Sequence, residues 1–234
     1  MEIITLPVLF EGDGMKFYIY PAVIKTQEEL ILVDTGYPMF LPILEDAFRE
    51  NGLDMQKLST VVLTHHDHDH MGAVKALAGK YPHVRVVCSE VQMPYVLGQK
   101  KSLRLTDAEN KGADEDFIQM IKSVEYLDQV QPLNDRDPIA EGVLAIVTSG
   151  HMPGHLSVYV ESEKTFISGD VLVVEDGKLA IASEQFVLDK EKEIEALKEI
   201  RELDIEKVIC FHGGEYASEN MKEDLAGIIA KGYN

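Results

Sequence analysis

Thr64-His65-His66-Asp67-His68-Asp69-His70 directly follows the apolar run Thr60-Val61-Val62-Leu63. Together the two stretches describe a buried strand that ends in four imidazoles and two carboxylates, the densest set of ligating groups in the chain. Neutral imidazole and ionised carboxylate are the side chains that hold zinc, manganese or iron at neutral pH, so a strand ending in them is a candidate metal site with open positions. In an extended segment side chains two apart point the same way, which sets His65, Asp67 and Asp69 against His66, His68 and His70. A compact turn at the strand end removes that alternation, so periodicity does not choose the ligands.

Outward from this point the chain alternates strands and helices. Upstream, Phe17 to Ile24 and Leu30 to Val33 read as antiparallel strands that stop at the turn Asp34-Thr35-Gly36, and a helix is expected from Pro38 to Glu50, ended by Asn51-Gly52. Downstream, a short helix is expected over Gly72 to Gly79 and a strand over Val84 to Val87. Periodicity then fades from Val91 to Asp116, where Pro94-Tyr95, Gly98-Gln99-Lys100-Lys101 and Gly112 interrupt any helix. That stretch reads as an irregular, lid-like insertion. Strand-like segments recur from Val124 to Val160, Asp189 caps a helix through Leu203, Val208 to Phe211 is a last buried strand, and Ser218 to Ala230 a last helix.

With 234 residues, 45% of them hydrophobic, the chain has material for one large α/β domain, and residues 1–234 are read as one. Its 41 acidic and 22 basic residues give a net charge of -19, which repels phosphate backbones, so nucleic acid is not an expected partner. The start, Met1 to Pro7, lacks a basic segment with a small-residue cleavage site, and no apolar run approaches the roughly 18 residues of a membrane span. A soluble, cytoplasmic protein acting on a small molecule is the expectation, with the oligomeric state open. Cys88 and Cys210 each follow a strand-like apolar run and read as buried thiols.

Further candidate ligands recur in order: Asp34, then His65-x-Asp67-x-Asp69-His70, then Gly150-His151-Met152-Pro153-Gly154-His155, then Ser168-Gly169-Asp170, then His212. This order resembles the metallo-β-lactamase fold superfamily, whose pattern is an early Asp at a strand end, His-x-His-x-Asp-His, a Gly-His motif, an Asp after a strand and a late His. The resemblance implies an αββα sandwich, two mixed β-sheets face to face with helices outside and the site where strand ends converge. It also implies two divalent metal ions, zinc first among them with manganese or iron as alternatives. By it, His65, Asp67 and His151 would hold the first ion, Asp69, His70 and His212 the second, and Asp170 would bridge them. Asp67 departs from the usual His, and a carboxylate there biases the first position toward harder ions. Asp34 would orient the ligands by hydrogen bonding, as would His155, while His66 and His68 fall outside the ligand set.

The chemistry implied is hydrolysis of an ester, thioester or lactone: two cations about 3.5–4 Å apart share a hydroxide by lowering the pKa of water toward about 7. Asp69 is the catalytic candidate, placed to orient that hydroxide or move its proton. Tyr95, Lys100, Lys101 and Arg104 in the insertion, and Tyr216 after His212, are candidate substrate contacts. The alternatives left open are an iron-dependent redox member of the fold resembling the sulfur dioxygenases, and a phosphodiesterase. Asp170 stands where two-zinc β-lactamases carry Cys, which disfavours antibiotic cleavage. Only a short, poorly basic tail follows His212, which disfavours a glutathione thioesterase.

Overall fold

The computed structural model describes residues 1–12 and 15–233. One six-stranded sheet runs β1-β4-β5-β6-β7-β8, built from Glu2–Thr5, Ala22–Lys25, Leu30–Val33, Leu58–Val62, Arg85–Ser89 and Gln131–Leu133. A second runs β16-β15-β12-β11-β10-β9, from Gly214–Ala217, Lys207–Cys210, Thr165–Gly169, Leu156–Val160, Val143–Val147 and Pro138–Ala140. Two hairpins stand apart from the sheets, β2 (Val8–Gly12) with β3 (Met15–Ile19) and β13 (Val173–Glu175) with β14 (Lys178–Ala180). The helices are α1 (Leu41–Glu50), α2 (His68–Met71), α3 (Val74–Lys80), α4 (Met93–Val96), α5 (Leu103–Lys111), α6 (Glu115–Lys122), α7 (Lys190–Ile200) and α8 (Met221–Lys231).

Three apolar layers explain the αββα order. Ile24, Ile31, Val33 and Val62 of the first sheet meet Val143, Leu156, Val158 and Ile209 of the second in the central layer. On the outer face of the first sheet, Leu32 and Val61 pack with Leu44 and Phe48 of α1 and Leu77 of α3. On the outer face of the second, Phe166 and Val208 pack with Leu197 and Ile200 of α7 and Leu225 of α8. Both faces of β6 are therefore covered, which is why Val61-Val62-Leu63 reads as an unbroken apolar run instead of an alternating one. Parallel pairing of β5, β6 and β7 brings their C-terminal ends to the same edge, where Asp34 and the His cluster leave the sheet. Gly169 is held at φ +56° beside a register shift in β12 that turns Asp170 toward the same edge, and an added Cβ there would meet the His155 Nε2 at 2.6 Å.

The stretch from Val91 to Asp116, expected to be irregular, is instead largely helical. Ser102 accepts a hydrogen bond from the Leu105 amide and starts α5, Gly112 ends it at φ +65°, and Asp114 caps α6. Periodicity is weak because α5 and α6 bury only a small cluster of their own, Leu105, Ala108, Ile118 and Ile121. Helix α1 begins at Leu41, after Met39 at φ +68°, rather than at Pro38. Asp189 caps α7 as expected, its carboxylate accepting the Lys192 amide. Cys88 and Cys210 are both buried and free. Among the described residues no helix is long and apolar enough to cross a membrane.

Candidate metal centre

Strand ends and the turns after them supply every candidate ligand. Thr64 leaves β6 and fixes two of them at once. Its amide donates to Asp34 Oδ1 at 2.9 Å and its hydroxyl to Asp34 Oδ2 at 2.8 Å. Having given its one proton to Asp34, the Thr64 oxygen can only accept from His65 Nδ1, 2.9 Å away, while Asp34 Oδ2 accepts from His70 Nδ1 at 2.8 Å. Both imidazoles thus commit Nδ1 as a donor and leave Nε2 as the atom for a cation, and neither Nε2 has a hydrogen-bond partner. Asp34 holds this arrangement from a left-handed backbone, φ +63°, that Asp tolerates better than most residues.

The candidate ligand atoms form groups. His65 Nε2 and His151 Nε2 each lie 3.5 Å from Asp67 Oδ2. His212 Nε2 is 3.3 Å and His70 Nε2 3.7 Å from Asp69 Oδ2. Asp170 touches both sets: its Oδ1 is 3.2 Å from His70 Nε2, and its Oδ2 is 3.6 Å from both His151 Nε2 and His212 Nε2. A tetrahedral ion with ligands at about 2.0–2.1 Å has ligand atoms about 3.3 Å apart, so these triads have the spacing of ions that fit. Asp67 Oδ1 and Asp170 Oδ1 are also buried without partners, as expected of oxygens meant for a cation.

Electrostatics agree with the geometry. Burial, reinforced by the charge of His70, pushes His65 down to about 4, leaving it neutral at pH 7. Burial opposes charge on His212 too, yet Asp170 and Asp69 hold it up to about 10. Burial alone would raise Asp69 and Asp170, but His70 and His212 keep both below the ordinary carboxylate range. Carboxylates that favour a proton on His70 and His212 favour a divalent cation in its place.

Around this centre other residues orient the ligands. His155 Nε2 accepts the Asp170 amide at 3.1 Å, so its Nδ1 carries the proton and donates to Thr148 Oγ1 at 2.8 Å; burial and His65 keep it neutral. His66 donates from Nδ1 to Gln92 Oε1 at 2.5 Å and accepts the Leu103 amide on Nε2 at 3.2 Å, which pins the start of α5 to the end of β6. Gln92 in turn donates to the Pro153 carbonyl at 2.6 Å, tying in the Gly150–His155 turn. Gly150 has no room for a side chain, since an added Cβ would lie 2.3 Å from Glu193 Cβ on α7.

Of the residues nominated from the insertion, Arg104 alone reaches the centre. Its Nε and Nη2 lie 2.9 and 2.8 Å from Asp67 Oδ2, its Nη2 also bonds His151 Nε2 at 3.1 Å and the Phe186 carbonyl at 2.9 Å, and only 4% of the residue is exposed. Arg104 leads the influences that, against burial, hold Asp67 well below the usual carboxylate range. Tyr95 stacks on His66, ring centroids 4.4 Å apart, and Lys100 sits 5.6 Å over the Tyr95 ring, behind the centre and off its open side. Lys101 pairs with Glu109, and Tyr216 donates to Asp224 of α8 at 2.9 Å. The open side itself is a cavity of about 700 Å³ between the β2–β3 hairpin, the α5–α6 insertion and the 173–186 segment, with Asp67, Asp69, His151, Asp170 and His212 on its floor. His68, outside the ligand set, stands on that floor edge-on to Tyr37 and to Phe117, 5.4 Å from each. Spacing gave no signal for these walls; the one hint was Asp67, a buried carboxylate in need of a cation.

Comparison with known proteins places the chain in a family. The family described as the Metallo-beta-lactamase superfamily matches residues 17–212. A protein named "Probable metallo-hydrolase YflN" from Bacillus subtilis (strain 168) is 25% identical over 210 residues, 83% of this chain and 79% of that one. A hydroxyacylglutathione hydrolase of Aeromonas hydrophila subsp. hydrophila is 38% identical over 84 residues, 36% of this chain and 28% of its own length. The crystal structure of the metallo-beta-lactamase family protein TTHA1429 from Thermus thermophilus superposes with a TM-score of 0.75 at 21% identity, covering 98% of this chain and 78% of that one.

Proposed function

The chain belongs to the metallo-beta-lactamase superfamily, and from that premise we propose that it is a metal-dependent hydrolase with a dinuclear centre, cleaving a small-molecule ester, thioester or lactone. The observation that carries this reading is Asp170, whose two oxygens lie 3.2–3.6 Å from histidines of both ligand triads, so that one carboxylate serves two ions. His65, Asp67 and His151 would hold the first and Asp69, His70 and His212 the second, each a set whose ligand atoms lie within 4.8 Å of one another. Zinc is the proposed ion, with manganese or iron competing at the first position, where Asp67 replaces a softer ligand.

Bound there, two divalent cations supply the Lewis acidity that ionises water near neutral pH and polarises a carbonyl. Asp69 is the residue placed for the proton work: its Oδ2 faces His212 Nε2 at 3.3 Å and it lines the cavity through which the attacking water would enter. Asp34 and Thr64 hold His65 and His70 in the tautomer that leaves Nε2 bare. His212, its side chain 33% exposed, is the most exposed of these ligands.

Protein purified without added metal, then analysed for metal content and assayed on p-nitrophenyl esters, lactones, thioesters including S-lactoylglutathione, and phosphodiesters, tests the reading. Two ions per chain and hydrolysis of a carbonyl substrate, abolished by chelation and restored by metal, are expected. Oxygen uptake on a persulfide with no hydrolysis of any member would replace the reading with the redox one.

A further inference from the structure

The cavity over the metal centre carries chemistry of its own. Its walls are aromatic in an unbroken series: Phe17 stacks on Phe10 at 4.9 Å, Phe10 meets Tyr37 at 4.5 Å, Tyr37 meets His68 and His68 meets Phe117, each at 5.4 Å. Phe186 closes the other side, 5.6 Å from the Arg104 guanidinium. Thus the band runs from the free-standing β2–β3 hairpin across the floor, beside Asp69, to α6.

Away from the ions, the same space offers an anion little to pair with. Among the described residues lining the cavity there is no lysine, and Arg104 commits Nε and Nη2 to Asp67, His151 and the Phe186 carbonyl. Among the described lining residues Glu175 is the one carboxylate outside the ligand set, within a chain of net charge -19. Away from the ions, a substrate carrying carboxylates, as a glutathione thioester does, finds no lysine in the lining and only Nη1 of Arg104 without a partner. An apolar body finds about 700 Å³ of aromatic surface.

Resting on the hydrolase reading above, we infer that the substrate is an uncharged ester, thioester or lactone with a bulky apolar body, of medium-chain or aryl size, which the hairpin, α6 and Phe186 enclose while its carbonyl lies over the ions. Two homologous series test this on the metal-loaded protein: p-nitrophenyl esters from acetate to octanoate, and acetates of alcohols from ethanol to octanol. The expected result is a rise in kcat/KM of about two- to fourfold per methylene in at least one series until the cavity is filled, with S-lactoylglutathione well below the best ester. Flat dependence in both series, or S-lactoylglutathione as the best substrate, would overturn the inference while leaving hydrolysis standing. Should the loaded protein hydrolyse nothing, the hydrolase reading fails, and calorimetric binding of the uncharged alcohols ethanol, butanol, hexanol and octanol still decides the inference. A Kd falling by a similar factor per methylene supports the apolar site, and a constant Kd refutes it.

Discussion

His70 and Asp67 leave the same strand end within one turn of chain, yet they are held by opposite means. His70 is locked by short hydrogen bonds from the edge of the first sheet: Asp34 takes its Nδ1 proton, and the Thr35 amide and hydroxyl both donate to its carbonyl, at 2.7 and 2.9 Å. Asp67 is held by charge, through a guanidinium delivered by α5, and its neighbour His151 rests on a turn backed by Glu193 of α7. One half of the centre is built by the sheet and the other by what surrounds it. The first follows from strand order; the second depends on contacts that can be removed without touching a strand.

The largest effect should come from removing the charge on the second half. Breaking a buried ion pair by deleting one partner leaves an uncompensated charge and costs about 3–5 kcal/mol. Arg104→Met should therefore lose about that much stability in the metal-free protein, read by urea denaturation, but far less once metal is saturating, because a divalent cation then neutralises Asp67 instead. By the same linkage the first ion should bind more tightly to the variant. Equal losses with and without metal would mean that Arg104 acts through packing alone, and the two halves would no longer differ in kind.

A smaller, pH-dependent effect is expected behind His151. Glu193 is fully buried on α7, and burial, opposed by the Tyr233 hydroxyl and reinforced by the charge of Asp170, raises its carboxyl to about 8. Between the unfolded value, about 4.3, and that raised value the folded chain keeps a proton the unfolded chain has released, so the contribution of Glu193 to stability falls as pH rises through the interval. Glu193→Gln cannot ionise and should lack this slope. The variant should exceed the parent by on the order of 3 kcal/mol at pH 8, the gain vanishing toward pH 4.5, with metal content held constant. Parallel stability curves for the two proteins would show that Glu193 does not bear on this half through its charge.

The same contrast explains what could be read without a structure. The half built by the sheet was legible because strand ends announce themselves: Val61-Val62-Leu63 before the His cluster, Val33 before Asp34, Ser168-Gly169 before Asp170, Ile209-Cys210 before His212. Buried strands leave a local mark, and parallel order brings their ends together. Arg104 left no such mark, because an arginine on a short amphipathic helix has the same local pattern whether it points to water or to a buried carboxylate 37 positions away. The aromatic series escaped for a related reason: Phe10, Tyr37 and Phe117 come from a hairpin, a turn and a helix whose meeting no periodicity encodes. Likewise, His66 and His68 could be set aside as ligands, but their actual tasks of clamping α5 and flooring the cavity were not legible.

The half built by the sheet can be probed with less disturbance still. In Asp34→Asn the carbonyl oxygen can keep the Thr64 amide, while the amide nitrogen replaces Oδ2, which in the parent accepts from both the Thr64 hydroxyl and His70 Nδ1. An NH₂ group cannot accept, so His70 must move its proton to Nε2, the atom that faces Asp69 and Asp170. Asn also tolerates the left-handed backbone at position 34, so the fold should survive with little change. The expected outcome is a loss of about 10- to 100-fold in affinity for the second ion, with the first ion affected less, measured by competition with a chromophoric chelator. An equal loss at both ions would couple the halves through Thr64, which also accepts from His65 Nδ1. In that case the sheet edge would govern the whole centre, and the charge on Arg104 would only trim it.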